Sequence, residues 1–257
     1  MARVFVTGSS TGLGLMAGEL LTEQGHRVVL HARNAARADD ARRALPQAEA
    51  VVVGDLSTVA GARGVAEQAN ALGRFDAVIH NAGVGYRESL PTSAEGGLPL
   101  TFAVNVLAPY VLTALIERPD RLVYLSSGMH RGANVRLDDP TWAKRAWSAA
   151  EAYGESKFFD VLIAFAVARR WPNVLSNALE PGWVATRMGG AGAPDDLDQA
   201  HRTQVWLAVS DDPEARVTGA YFRYKRPRAP DPRTASAEWQ DRLIAECERL
   251  SGVTLPG

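Results

Sequence analysis

Lysine and cysteine are the scarce residues of this 257-residue chain. A single cysteine, Cys247, excludes a disulfide framework and a cysteine-built metal site, and no metal is expected. Of 28 basic residues only three are lysines (Lys144, Lys157, Lys225), the other 25 being arginines, so the position of each lysine carries information. A net charge of −1 leaves no basic surplus for electrostatic binding of nucleic acid. Long apolar runs are also missing. The opening Met-Ala-Arg-Val-Phe-Val-Thr-Gly is too short for the core of a secretory signal. Residues 96–116 carry no charge, but Pro99, Thr101, Asn105, Pro109 and Thr113 interrupt them. They read as a buried helix of a soluble core, with no membrane span and a cytoplasmic location expected.

Apolar residues make up 46% and charged residues 22%, ordinary values for a globular chain. At this length roughly 70–75% of the unfolded surface can be buried, enough for a large core. Short β-branched runs alternate with longer helical stretches. Strands are expected at 4–7, 27–31, 50–53, 76–80, 121–125, 174–178 and 218–224. Helices are expected at 13–24, 35–45, 59–72, 101–116, 149–170 and 237–250. This rhythm predicts an α/β fold, a Rossmann-type doubly wound parallel sheet of about seven strands with helices on both faces. Residues 189–198 read as a mobile loop and 223–232 as a Pro/Arg-rich surface segment.

The first strand runs into Thr7-Gly8-Ser9-Ser10-Thr11-Gly12-Leu13-Gly14 and a helix follows. Glycines let backbone approach a pyrophosphate, and the helix N-terminus offers free N–H groups and the positive end of its dipole. The spacing is G-x-x-x-G-x-G, so a tight structural turn is the competing reading. The second strand ends in Leu30-His31-Ala32-Arg33-Asn34, without the acid that would bond a ribose 2′-hydroxyl. Arg33 suits a 2′-phosphate instead, which favours NADP(H) over NAD(H). After the third strand come Gly54-Asp55-Leu56, where Asp55 can accept from an adenine amino group or cap the next helix. Asn81-Ala82-Gly83 follow the fourth strand, and their small size lets backbone lie beside a ribose.

Tyr-x-x-x-Lys occurs twice, where chance supplies roughly 0.07 copies, so context must choose between them. Tyr221 and Lys225 fall in a strand, where they read as structural. Tyr153 and Lys157 share one face of the long helix, so phenol and ammonium can meet one ligand. A free phenol titrates near 10, and a neighbouring cation favours its ionised form. Ser126-Ser127-Gly128 end the fifth strand, at the sheet edge where such folds bind ligands. Asn105 interrupts an otherwise apolar helix and needs hydrogen-bond partners there. Glu180-Pro181-Gly182-Trp183-Val184-Ala185-Thr186 form a further turn at the same edge.

Together and in this order, these motifs resemble the short-chain dehydrogenase/reductase family, single-domain branch, over roughly residues 3–225. The resemblance implies one dinucleotide-binding catalytic domain over 1–257, with an insertion at 129–148, a substrate loop at 186–198 and a tail at 226–257. It implies a tetrad of Asn105, Ser127, Tyr153 and Lys157, with Asn105 placing a water next to Lys157. The implied cofactor residues are Gly8, Ser10, Thr11, Gly12, Leu13, Gly14, Arg33, Asp55, Leu56, Asn81, Ala82, Gly83, Tyr153, Lys157, Pro181, Gly182, Val184 and Thr186. Val84, Met129, His130, Trp183 and Met188 are expected to line the substrate site together with Tyr86, Trp142 and Trp147, the two last having anchorage of the insertion as their competing reading. The expected activity is NADP(H)-dependent hydride transfer to or from a carbonyl or secondary alcohol of an apolar small molecule.

Some positions depart from the family pattern. His80 stands where an asparagine is usual, and Thr11 where NADP-preferring relatives often carry a base. The interval from Ser127 to Tyr153 is about twice the family's usual length, which is similar to the retinol-dehydrogenase-like and WW-domain-oxidoreductase-like subgroup. A non-catalytic dinucleotide-sensing or scaffold protein is a second reading of the fold. A sugar-nucleotide epimerase or dehydratase is a third, against which stand the glycine spacing and the short C-terminal region. A homo-oligomer paired through the helices of Asn105 and Tyr153 is open, although the insertion stands to obstruct that face.

Overall fold

A computed structural model of the chain describes residues 1–86 and 97–257. Parallel strands β1 (Arg3–Val6), β2 (Arg27–Ala32), β3 (Ala50–Val53), β4 (Ala77–His80), β5 (Arg121–Leu125), β6 (Leu175–Leu179) and β7 (Tyr221–Arg223) form one sheet. A two-residue antiparallel edge, β8 (Arg226–Pro227), completes the order β3-β2-β1-β4-β5-β6-β7-β8, one strand more than expected. The order reverses between β1 and β4, which opens a crevice at the C-terminal strand ends.

Strand residues are apolar on both faces because both are covered. Phe5, Val29, Val78 and Tyr124 point into one core, under helices α3 (Val59–Ala71), α5 (Ala108–Leu115), α6 (Ala149–Arg170) and α9 (Ala237–Ser251). Val4, Val6, Leu30, Ile79 and Val123 point into the other, against α1 (Gly12–Glu23), α2 (Ala35–Ala44) and α8 (Arg202–Val209). The helix expected at 101–116 is composite: α4 (Leu100–Phe102) passes through a π-helical turn, Ala103–Leu107, into α5. Asn105 sits in that π turn. A short helix, α7 (Leu197–Ala200), precedes α8.

Two expectations change in the second half. The strand expected at 218–224 is only Tyr221–Arg223: Gly219 has φ +71° before it, and Tyr224 and Lys225 adopt left-handed φ of 51° and 59° and turn the chain into β8. Tyr221 is buried against His130, so the second Tyr-x-x-x-Lys is part of the core and a turn. Residues 189–198 are tied down: Val184 bridges Asp195, and the Asp195 carboxylate accepts from Trp183 N at 2.6 Å and pairs with Arg223 at 3.0 Å.

The insertion folds onto α6 through Glu155. That buried carboxylate accepts from Arg136 N at 2.7 Å and Trp142 Nε1 at 2.8 Å, and pairs with Arg145. Trp142 in turn packs edge-on against Trp147, so both tryptophans anchor the insertion. On the outer side, α9 packs against α6 through Trp239 and Phe158, and the tail takes hydrogen bonds from Tyr110 and Trp171. The α5–α6 face that the resemblance offered for pairing is therefore covered by the chain's own C-terminus.

Candidate active site

The glycine-rich turn is held from two sides. Asn81 Nδ2 donates to the carbonyls of Thr7 (2.9 Å) and Gly8 (3.2 Å), and Ala82 N donates to Thr7 Oγ1 at 3.0 Å. Gly8 has φ +62°, and a Cβ there would stand 2.7 Å from Ala82 Cα, so only glycine fits between β1 and β4. Gly14 is similarly confined, since a Cβ would stand 2.5 Å from Asn81 Nδ2. Ser10, Thr11, Gly12 and Leu13 lie at the exposed or half-exposed mouth. The N-cap of α1, Thr11, makes no side-chain cap, and no acid occupies the first turn. By contrast Asn34, Thr58, Ser148 and Ser236 cap α2, α3, α6 and α9. The free N–H groups of α1 fit an anion such as a pyrophosphate.

Arg33 is exposed just beyond β2. Asp55 is exposed, and its Oδ1 accepts from Ser57 N at 2.9 Å, while the cap of α3 is Thr58. The Asp55 carboxylate thus forms a local turn and keeps its second oxygen available. Leu56 is buried against α3, which leaves only its backbone for a cofactor. Pro181, Gly182, Val184 and Thr186 form the turn after β6, with Thr186 Oγ1 accepting from Gly189 N at 3.1 Å.

Tyr153 and Lys157 stand one turn apart on α6, with Lys157 Nζ 5.8 Å from the tyrosine ring centre. Lys157 Nζ donates to Leu125 O at 2.7 Å, and Ser126 Oγ donates to Lys157 O at 2.7 Å, which ties α6 to the end of β5. Ser127 then emerges half-buried beside Tyr153. Burial raises the Tyr153 phenol above its ordinary range, while Lys157 and Ser127 pull it down. The expected net lowering by Lys157 is outweighed by burial. Gly83 leaves room in front of Asn105 Oδ1 and Lys157 Nζ, which a Cβ would meet at 3.4 and 3.7 Å.

The Asn105 side chain uses both of its amide protons and one oxygen lone pair. Its Oδ1 accepts from Val84 N at 2.8 Å, and its Nδ2 donates to Val84 O (3.1 Å) and Ser156 Oγ (3.0 Å). It holds the chain after β4 against α6. Tyr86 packs edge-on against Tyr153 with ring centres 5.4 Å apart.

Of the expected substrate residues, Trp183 (56% exposed) and Met129 (41% exposed) are open apolar surface at the crevice. Met188 packs against Gly85, next to Val84. His130 is a correction. It is fully buried, its Nδ1 donates to Ser127 O at 2.7 Å, and its Nε2 accepts from Asp231 N at 3.1 Å. Its ring supports the serine turn from behind and cannot line a substrate site. Two residues were not singled out in the sequence, His31 beneath the glycine turn and Asp160 beside Lys157. An acid three positions after a helical lysine is the signal that would have marked Asp160.

Among the described residues no helix is long and apolar enough to cross a membrane. Residues 2–196 match the family described as short chain dehydrogenase. An uncharacterised oxidoreductase from Emericella nidulans is 43% identical over 261 aligned residues, covering 100% of each chain. Human retinol dehydrogenase 13 is 29% identical, over 98% of this chain and 85% of that one. A solved structure of an uncharacterised protein from Mycobacterium paratuberculosis shares the fold with a TM-score of 0.85 at 24% identity, covering 100% of this chain and 96% of that one. The NADPH complex of a blue fluorescent protein from a metagenomic library does so with a TM-score of 0.71 at 21% identity, covering 86% and 95%. The glycine turn beneath an uncapped helix, the Tyr153–Lys157 pair and the family match converge: the chain belongs to the short-chain dehydrogenase family and is a nicotinamide-dependent oxidoreductase.

Proposed function

We propose that the chain, acting as one catalytic domain over 1–257, is an NADP(H)-dependent oxidoreductase that interconverts a carbonyl and a secondary alcohol on an apolar small molecule. The observation that carries this reading is the convergence of Ser127, Tyr153 and Lys157 at the C-terminal edge of β5, beside the crevice. A bound nicotinamide nucleotide supplies or accepts the hydride. The free N–H groups of α1, with the backbone of Ser10–Leu13, would hold its pyrophosphate, Asp55 and the Leu56 backbone its adenine, and Arg33 its 2′-phosphate. Asn81–Gly83 and the Pro181–Thr186 turn would flank its nicotinamide half.

In the reducing direction Ser127 donates a hydrogen bond to the substrate carbonyl oxygen. Tyr153 gives its phenol proton to that oxygen as hydride reaches the carbon. Lys157 has three ammonium protons, of which Leu125 O takes one, and it stabilises the phenolate left behind. Asn105 keeps Val84 and Ser156 in register with α6, and so positions the site. Trp183, Met129, Val84 and Met188 receive the apolar part of the substrate. The NADPH-bound structural neighbour and Arg33 both support the phosphorylated cofactor.

NADPH oxidation over a panel of ketones and aldehydes tests the reading, with the Tyr153→Phe variant alongside. Turnover by the wild type, its loss in Tyr153→Phe and unchanged NADPH binding are expected. Substantial residual turnover in the variant would remove the proton-donor role.

A further inference from the structure

Three residues after Lys157 on α6 lies Asp160, 2% exposed and outside the tetrad. Its Oδ2 accepts from Lys157 Nζ at 2.8 Å. The ammonium therefore has two protein partners, Leu125 O at 2.7 Å and this carboxylate, and one proton left for the crevice. The pair is buried on both sides, so solvent does little to screen it.

We propose that Asp160 is a positioning residue that acts as the counter-ion of Lys157: it fixes the ammonium against β5 and, by offsetting its charge beside Tyr153, keeps the tyrosine in the protonated form that carbonyl reduction requires. This rests on the reading of Tyr153 as proton donor and deepens it by assigning a favoured direction. An isolated ammonium at this distance would pull a phenol toward ionisation. A carboxylate on the same ammonium pushes back, in agreement with the raised Tyr153 phenol, to which Asp160 contributes.

Among the described residues, titratable groups face the pair from several elements, and Tyr221 of β7 stands near Tyr153. From β5 comes Tyr124, whose phenol burial raises, and behind it Thr113 of α5 links Tyr124 to His80 of β4, held neutral by burial. From the chain after β4 comes Tyr86. His130, in the turn Gly128–His130, is lowered by burial, and Arg233 is paired with Asp231. Glu155 points to the opposite face of α6, where Arg145 holds it.

The test is Asp160→Asn, which keeps the size and an acceptor oxygen but removes the charge. Tyr153 ionisation is read directly, as the ultraviolet difference between each protein and its Tyr153→Phe counterpart across pH. The expected result is a Tyr153 midpoint at least one pH unit lower in Asp160→Asn, about tenfold more phenolate at a given pH. The pH at which alcohol oxidation rises moves down by the same amount, and carbonyl reduction at neutral pH falls relative to oxidation. Identical midpoints and identical pH profiles would overturn the proposal. If Tyr153→Phe stays active, the proton-donor reading fails, while the direct titration still reports whether Asp160 governs Tyr153.

Should Asp160→Asn not fold, the wild type supplies the measurement. With only three lysines in the chain, the ε-methylene signals of Lys157, Lys144 and Lys225 can be separated by nuclear magnetic resonance after lysine labelling. Burial raises the Asp160 carboxyl against the pull of Lys157, so its protonation falls above the usual carboxylate range. The Lys157 signal should step there while Lys144 and Lys225 stay flat. A flat Lys157 signal between pH 7 and about pH 4 would overturn the counter-ion role.

Discussion

The backbone N–H of Gly8 donates to His31 Nδ1 at 2.9 Å, while the same ring donates from Nε2 to the Gly54 carbonyl at 2.9 Å. One buried imidazole thus ties the first glycine of the cofactor turn to the end of β3. Burial lowers the His31 pKa, which keeps Nδ1 free to accept. In His31→Leu both backbone groups lose their partner, at about 1–3 kcal/mol each. NADPH affinity should fall about tenfold with kcat nearly retained. Fluorescence titration and steady-state kinetics check this, and unchanged affinity would separate His31 from the cofactor turn.

All five histidines are shifted downward by burial, His80 most clearly, to about 3. As pH falls below the unfolded value of 6.5, the unfolded chain takes up a proton at His80 that the native state refuses. The His80 contribution is therefore fully present above pH 6.5 and is lost on acidification. By pH 5 the His80 share amounts to about 2 kcal/mol. Glu155 and Asp160, raised by burial, act in the opposite sense in the same window. Comparing wild type with His80→Asn cancels that background. Denaturant midpoints at several pH values should show the wild type losing stability relative to the variant as pH drops. Parallel curves would mean that His80 is not held neutral.

Arg33 is the cation expected to distinguish the two nicotinamide nucleotides. Charge-assisted hydrogen bonds to a phosphate are worth about 1.5–3 kcal/mol, which is roughly ten- to a hundredfold in binding. Arg33→Ala should raise the KM for NADPH by that factor and leave the KM for NADH nearly unchanged. Steady-state kinetics with both nucleotides decide it, and equal effects on the two would remove Arg33 from the 2′-phosphate.

Much of this arrangement is legible in the residues themselves. The bounds expected for β5 and α6 coincide with Arg121–Leu125 and Ala149–Arg170, since both have clear periodicity and end signals such as the Ser148 cap. The expected strand at 218–224 stops early because two non-glycine residues take left-handed φ, which composition does not announce. His130 looked like part of the substrate wall because it follows a strand end. Its ring turns inward to Asp231, about a hundred residues further along, and no local pattern encodes that contact.

Local order is therefore written in the chain: the alternation of strands and helices, the glycines where β1 meets β4, and a lysine one helical turn after Tyr153. These follow from backbone sterics and helical period, which act over a few residues. Which charges face one another was settled only by packing. Asp160 became the partner of Lys157, Glu155 the anchor of the insertion, and His31 the support of Gly8 once α6 and β2 were buried. Burial strips water from these groups, and each must then find a partner in the fold or change its protonation.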